Sequence, residues 1–233
     1  MAIDQSLLET TANSGQTVLR FYRWAPATLS IGYFQALDDR QQHDASKRCP
    51  IVRRASGGGA IVHDDELTYS ICVTTSGAIA KVNTILYDTV HFAIRTALAE
   101  QGIEVELYTA PDGAAVKASK ADSFLCFQRR AVGDIICNGV KVGGSAQRRL
   151  KNSLIQHGSL LLSQSAFAPQ LPGLHELSGV KVDEVKLIES VKTLLAKSME
   201  VEFRLDQLSV KEQSRAKEIE AGKFDDTEWL NKR

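Results

Sequence analysis

The sequence has no excess charge of either sign, because 28 lysines and arginines are matched by 28 aspartates and glutamates over 233 residues. Proteins whose main partner is nucleic acid carry a basic surface, so that class is disfavoured. The chain also has no run of about 20 apolar residues, which a membrane-spanning helix needs. Its first residues lack the basic segment and apolar core of a secretion signal. We therefore expect a cytoplasmic protein whose partners are neither nucleic acid nor membrane.

Cysteine is sparse, and the four cysteines form neither a CxxC pair nor a zinc-binding spacing. We therefore expect no metal site. In the cytosol such thiols stay reduced, so a free and reactive cysteine is allowed. The cysteines are Cys49, Cys72, Cys126 and Cys137.

The order of hydrophobic patterns predicts an α+β fold in which helices flank a mixed or antiparallel sheet. A chain of 233 residues, 43% of them hydrophobic, can bury a core without disulfides or a structural metal. We expect a single domain over residues 1–233. The expected helices cover 3–9, 38–48, 82–99, 182–197 and 210–222. The expected strands cover 18–24, 28–32, 51–53, 60–63, 67–75, 104–107, 134–137, 140–143 and 154–162, the last broken at Gly158. A loop is expected over 110–123.

A glycine-rich turn follows two arginines and is the first segment that suggests chemistry. Gly57, Gly58 and Gly59 allow backbone to approach a ligand with no Cβ in the way. Arg53 and Arg54 supply planar donors for an anion. No Gly-Lys-Ser/Thr follows, so this is not a nucleotide-binding Walker loop. A plain strand–turn–strand with arginines on its rim fits the composition equally well.

A predicted hairpin carries the second segment. Asn138-Gly139 between two apolar stretches is a strong signal for a two-residue type I′ turn. Lys141 follows it, and two glycines, Gly143 and Gly144, open space beside that lysine. A lysine on a strand is usually a solvated, outward-facing residue, and the glycine pair argues against that interpretation here.

The third segment is a cysteine between two large apolar residues. Cys126 lies between Leu125 and Phe127, and a cysteine in such a setting is most often a small buried hydrophobic residue. Alone it would not indicate catalysis.

Together these segments resemble the biotin/lipoate protein ligase superfamily, and within it the octanoyl-carrier-protein:protein octanoyltransferases that use a cysteine and a lysine. The resemblance implies the catalytic-domain fold of that superfamily. Residues 1–9 resemble its first helix, 20–24 and 26–35 its first hairpin, 53–64 its acyl pocket, and 141–147 with 156–160 its later pocket strands.

The resemblance also implies the roles of individual residues. Cys126 would carry the acyl group as a thioester, with Lys141 beside it stabilising the thiolate and orienting the acyl carbonyl. The acyl-binding residues would be Arg54, Ser56, Gly57, Gly58, Gly59, His63, Gly144, Ser145 and His157. His63 has a structural capping role as its alternative, and His157 is either a proton carrier or only a sheet residue. We assign no catalytic role to His43, His91, His175, Cys49, Cys72 or Cys137.

The implied reaction moves an octanoyl group from acyl carrier protein to a lysine of a lipoyl domain, such as the glycine cleavage H protein or a dehydrogenase E2 subunit. It needs no cofactor, because both steps start from a thioester. The first alternative is an ATP- and magnesium-dependent lipoate or octanoate ligase in which Cys126 takes no part. The second is a non-catalytic protein that binds acyl groups.

Overall fold

The computed structural model describes residues 1–75, 83–110 and 123–232. The loop expected over 110–123 falls mainly on residues 111–122, which lie outside the described residues. Within the described ranges the α-helices are α1 (Ala2–Ser14), α2 (Asn83–Ala99), α3 (Leu174–Ser178), α4 (Glu184–Met199), α5 (Val210–Ile219) and α6 (Thr227–Leu230). In this part of the chain no helix is both long and apolar enough to cross a bilayer.

The strands form two sheets, which confirms the α+β fold with mixed and antiparallel pairing. The strands are β1 (Val18–Tyr22), β2 (Thr28–Ile31), β3 (Ile51–Arg53), β4 (Ile61–His63), β5 (Glu66–Thr74), β6 (Glu106–Leu107), β7 (Ile135–Cys137), β8 (Val140–Leu150) and β9 (Ser153–Leu161). One sheet has the order β1-β5-β9-β8-β7-β6, and its neighbours are antiparallel. The other has the order β3-β2-β4, in which β2 is parallel to β3 and antiparallel to β4.

The larger sheet is covered on both faces, because side chains alternate along each strand. In β5, Ile71 and Val73 join the main core beneath α2 and α4, while Cys72 faces Leu7 and Leu8 of α1. The smaller sheet has its own core, built from the residues Leu29, Ile31, Val62, Phe124, Leu125 and Phe127. The segment that carries the candidate cysteine is thus anchored in the core of the smaller sheet.

The hairpin predicted at Asn138-Gly139 is confirmed. Both residues have positive φ, at 46° and 75°, as a type I′ turn requires, and Cys137 pairs with Val140 across it. The second strand is longer than expected, since β8 continues to Leu150 rather than ending at 143. Its last eight residues, 143–150, pair with β9, with Ser145 opposite Gly158.

The hairpin expected between residues 20–24 and 26–35 is wrong. β1 pairs with β5, whereas β2 pairs with β3 and β4 in the other sheet. The reason is burial in separate cores: Leu19 and Phe21 pack against the main core, whereas Leu29 lies at the centre of the smaller one. The two neighbouring strands therefore end up in different layers.

The break expected at Gly158 is also wrong, because β9 runs through it. A Cβ at this position would lie 2.4 Å from the Ser145 Oγ and 2.7 Å from the Gly144 carbonyl oxygen. The glycine therefore marks a close approach to β8 and not the end of a strand.

The helix expected over 38–48 is replaced by two 3₁₀ turns, Leu37–Gln42 and Asp44–Ser46. Side chains here bond locally in competition with an α-helix: the His43 Nδ1 lies 2.7 Å from the Ser46 Oγ, and Arg40 donates to the Lys47 carbonyl at 2.6 Å.

Candidate active site

The glycine-rich turn between β3 and β4 forms one wall of the site, and its glycines allow other segments to touch it. A Cβ at Gly32 would lie 2.0 Å from the Gly58 carbonyl oxygen, and one at Gly59 would lie 2.9 Å from both N and Cα of Cys126. Gly58 itself has a φ of 98°, which disfavours any side chain. The turn and the cysteine segment therefore pack backbone against backbone.

Hydrogen bonds fix the cysteine segment on this turn. The Ala60 amide donates to the Phe124 carbonyl at 2.9 Å, and the Cys126 amide donates to the Ala60 carbonyl at 2.8 Å. Cys126 then begins the 3₁₀ turn Cys126–Gln128. Its side chain lines a cavity of about 230 Å³ between the two sheets.

Cys126 differs from the other cysteines in its exposure. It is partly exposed, whereas Cys49, Cys72 and Cys137 are buried. Burial raises the pKa of all three buried thiols. These groups have the setting of structural cysteines, and Cys126 has the access that a nucleophile needs.

Lys141 is buried and faces the same cavity, so it is not the solvated strand residue of the alternative interpretation. Its Nζ lies 2.7 Å from the Asp134 Oδ2. Asp134 also accepts hydrogen bonds from the Tyr87 hydroxyl at 3.0 Å and the Ala131 amide at 2.6 Å. A Cβ at Gly144 would lie 2.8 Å from the Lys141 Cε and 3.0 Å from its Nζ. The glycine thus makes room for the lysine, as the sequence predicts.

The two adjacent arginines have different surroundings. Arg53 donates to the carbonyls of Gln35 and Leu230, at 2.6 Å and 2.7 Å, and so ties the C-terminal segment to the smaller sheet. Arg54 lines the cavity and donates to the Ser30 Oγ at 2.6 Å and to the Gly59 carbonyl at 2.7 Å. Burial lowers the pKa of Arg54 to about 10, although Cys126 acts in the opposite direction.

His63 is held on both ring nitrogens. Its Nδ1 lies 3.0 Å from the Glu66 Oε1 and its Nε2 2.7 Å from the Ser30 Oγ, and its ring stacks on Trp24 at 4.2 Å between centroids. Burial is the main cause that lowers its pKa. The ring is oriented by its neighbours, and it forms part of the cavity wall.

His157 lies on β9, with its Nε2 2.6 Å from the Ser56 Oγ. Burial, and then the charge of Arg54, lowers its pKa to about 4, so it is neutral at physiological pH. This neutral state agrees with a sheet residue that lines the cavity better than with a proton carrier active near pH 7.

The structure brings most of the sequence-predicted residues together. Those lining the cavity are Arg54, Gly57, Gly58, His63, Cys126, Lys141, Gly144, Ser145 and His157. Two do not line it: Ser56 lies behind, bonded to His157, and Gly59 acts through its packing against Cys126. The apolar part of the wall includes Trp24, Ile61 and Phe127. Within the described ranges there is no cluster of His, Cys, Asp and Glu suited to a metal ion.

A buried polar cluster near Lys141, formed by His91, Ser145, Tyr69 and Tyr87, was not predicted from the sequence. His91 is 1% exposed, and its Nε2 lies 2.5 Å from the Ser145 Oγ, which also bonds the Tyr69 hydroxyl. Burial lowers the pKa of His91 to about 4. Tyr87, which bonds Asp134, lies one helical turn before His91. Tyr87 and His91 are four positions apart in a predicted helix and therefore lie on the same helix face. This spacing is the sequence signal from which the cluster could have been predicted.

Comparison with known proteins places these residues in a family context. The family model of the lipoyl protein ligase A/B catalytic domain matches residues 1–207. The octanoyltransferase LipM of Oceanobacillus iheyensis is 38% identical over 170 residues, which cover 71% of this chain and 60% of that protein. The octanoyltransferase LipM of Moorella thermoacetica is 32% identical over 262 residues, covering 100% of this chain and 93% of that protein.

Solved structures share the fold. A lipoate-protein ligase A bound with ATP superposes with a TM-score of 0.74 at 21% identity, covering 98% of this chain and 91% of the other. A bi-partite lipoate protein ligase from Thermoplasma acidophilum gives a TM-score of 0.70 at 20% identity, with coverage of 98% and 89%. Identities this low are informative about the fold alone.

Proposed function

Because this chain belongs to the family of lipoyl protein ligase A/B catalytic domains, we propose that it is an acyltransferase of protein lipoylation. It transfers an octanoyl group from acyl carrier protein to a lysine of a lipoyl domain, through a thioester on Cys126. The observation that carries the proposal is the placement of an accessible cysteine and a buried lysine, Cys126 and Lys141, in one cavity. The octanoyltransferase names of relatives at 38% and 32% identity support it.

In the first step the Cys126 thiolate attacks the carbonyl carbon of the carrier-bound thioester. A carbon–sulfur bond to Cys126 forms, and the bond to the carrier's pantetheine sulfur breaks. That sulfur leaves as a thiolate and takes a proton from solvent. Lys141 donates a hydrogen bond that orients the acyl carbonyl. The apolar wall of the cavity excludes water from the acyl chain.

In the second step the neutral ε-amine of a lipoyl-domain lysine attacks the acyl-enzyme. The amide bond forms, the Cys126 thiolate leaves, and the nitrogen gives up a proton to that thiolate or to solvent. Both steps begin from an activated thioester, so neither ATP nor a metal takes part. The acceptor is a lipoyl-domain protein such as the H protein or an E2 subunit, and the reaction belongs to the cytoplasm.

The remaining cavity residues position the acyl chain. The slot is lined by Arg54, Gly57, Gly58, His63, Gly144, Ser145 and His157. Ser56 and Gly59 lie behind this lining and support it. The second step requires the slot to open to solvent on the side where the lipoyl lysine enters. The ligase alternative differs in requiring ATP and a free acid, and the names of the relatives favour transfer over ligation.

Intact-protein mass spectrometry tests this proposal. The protein is incubated with octanoyl acyl carrier protein in the absence of ATP, and then with an apo lipoyl domain. We expect one octanoyl adduct that hydroxylamine removes, that the lipoyl domain discharges, and that is absent from Cys126→Ser.

Cys49→Ala is the matched control, since it removes a buried thiol outside the cavity and should still form the adduct. An unchanged adduct in Cys126→Ser would end the assignment of the nucleophile. Modification of the lipoyl domain only with free octanoate and ATP would favour a ligase, and tight octanoate binding without any transfer would favour an acyl-binding protein.

A further inference from the structure

We propose that the guanidinium of Arg54, and not the ammonium of Lys141, is the countercharge that holds the Cys126 sulfur as a thiolate. The proposal rests on the proposed function, since it concerns the nucleophile of that reaction. Under this proposal the two cations in the cavity have different roles. Arg54 stabilises the attacking sulfur, and Lys141 remains available to the acyl carbonyl.

The guanidinium of Arg54 and the sulfur of Cys126 lie near the same glycine. A Cβ placed on Gly58 would lie 3.5 Å from the Arg54 Nη2 and 4.0 Å from the Cys126 Sγ. Both groups therefore lie within van der Waals range of the space above Gly58. Both also line the same cavity. No rearrangement of the backbone is needed for the charge of Arg54 to act on the sulfur.

Arg54 is a buried cation without a carboxylate partner. It is 4% exposed, and its hydrogen bonds go to neutral oxygens. These are the Ser30 carbonyl and Oγ at 2.8 Å and 2.6 Å, the Gly57 carbonyl at 3.4 Å and the Gly59 carbonyl at 2.7 Å. In the described part of the chain no Asp or Glu oxygen lies within 4.0 Å of it. An arginine stays charged even when buried, and an uncompensated buried charge is unfavourable unless an anion lies near it. A thiolate at Cys126 supplies that anion.

Lys141 is in the opposite situation. Its ammonium lies 2.7 Å from the Asp134 carboxylate, and the two side chains are 6% and 2% exposed. A close buried pair of opposite charges is neutral as a unit, so its field falls off faster with distance than the field of a single charge. At equal distance, the net attraction that this pair exerts on a thiolate is therefore smaller than that of an unpaired guanidinium such as Arg54.

The other ionisable groups around the cavity do not replace Arg54. His157 and His63 are neutral near pH 7, since burial lowers the pKa of both. Glu66 bonds His63 at 3.0 Å, and burial raises the pKa of Tyr22, which donates to Asp4. The further charged groups on elements packed around the cavity are Asp4, Arg20, Asp134, Lys141 and the amino group of Met1. Among these, Asp4 is bonded by Arg20 at 2.8 Å.

The pH profile of Cys126 alkylation separates the two cations. Iodoacetamide is small and uncharged, so its reaction rate follows the thiolate fraction without requiring the acyl slot. Rates are measured from pH 5 to 10 on wild type, Arg54→Gln, Arg54→Lys and Lys141→Gln, counting only the adduct that Cys126→Ser lacks. We expect Arg54→Gln to move the midpoint upward by about one pH unit, which lowers the rate at pH 7 about tenfold and leaves the alkaline plateau unchanged.

The conservative Arg54→Lys should restore most of the rate at pH 7, and Lys141→Gln should change it less than about threefold while slowing octanoyl transfer more strongly. A midpoint that stays in place in Arg54→Gln, or moves as far in Lys141→Gln, would overturn the proposal. If Arg54→Gln does not fold, the Lys141→Gln profile decides alone. Loss of the octanoyl adduct in wild type would refute the proposed function instead, so the two failures are distinguishable.

Discussion

We expect Gly144→Ala to slow octanoyl transfer, because the added methyl group displaces the Lys141 ammonium. The added methyl would lie 2.8 Å from the Lys141 Cε and 3.0 Å from both its Nζ and the Asp134 Oδ1. Ordinary carbon contacts begin near 3.5 Å, so these atoms must move by roughly 0.5–1 Å. Lys141 contacts Asp134 on one side and lines the cavity on another, so a displaced ammonium can move into the cavity. A displacement of about 1 Å at a positioned group costs on the order of 100-fold in rate.

The effect on stability should be much smaller. Overpacking against the end of a long side chain costs about 1 kcal/mol, at the low end of its usual range. For a chain of this size that lowers the Tm by only about 2–4 °C. The variant should therefore fold normally while kcat/KM for octanoyl transfer falls about 100-fold.

The assay pairs steady-state transfer to a lipoyl domain with a thermal melt. Gly222→Ala is the matched control, because a Cβ there meets no atom within 4 Å, and both measurements should stay at wild-type values. Wild-type transfer by a folded Gly144→Ala would show that the ammonium position does not matter. A loss of transfer that merely follows a loss of folded protein would equally contradict the reasoning.

Local signals in the sequence could predict the features that depend on short-range chemistry. The turn at Asn138-Gly139 needs positive φ at both residues, and few sequences other than Asn-Gly satisfy that need. The space that Gly144 leaves for the Lys141 side chain could also be predicted, because a residue without a side chain stands close to a long one. The resemblance then joined Cys126 to Lys141, which no spacing rule could do.

Features that depend on the pairing of distant segments could not be predicted from local signals in the sequence. Arg53 and Arg54 are chemically identical neighbours, and only the placement of β3 beside β2 decides which one faces the cavity. Asp134 was expected at the start of a strand, but its role follows from the pairing of β7 with β8. That pairing sets Lys141 opposite Ile136, and the lysine side chain reaches the Asp134 carboxylate. The separation of β1 from β2 is of the same kind, since it reflects which core each strand fills.

Two further predictions concern the buried charges and histidines. Asp134→Asn removes the negative partner of buried Lys141 and should lower the free energy of unfolding, measured by urea titration, by about 3 kcal/mol. The control Asp38→Asn changes an exposed residue and should leave that free energy unchanged. Equal effects of the two substitutions would show that the Lys141–Asp134 pair does not stabilise the fold. Folding lowers the pKa of His91 and of His157 from 6.5 to about 4, so the folded state binds fewer protons than the unfolded chain. Their contribution is complete above pH 6.5 and is lost as the pH falls toward 4, by up to roughly 3 kcal/mol for each histidine. Urea midpoints that stay level between pH 7 and pH 4.5 would mean that these rings are not held neutral by burial.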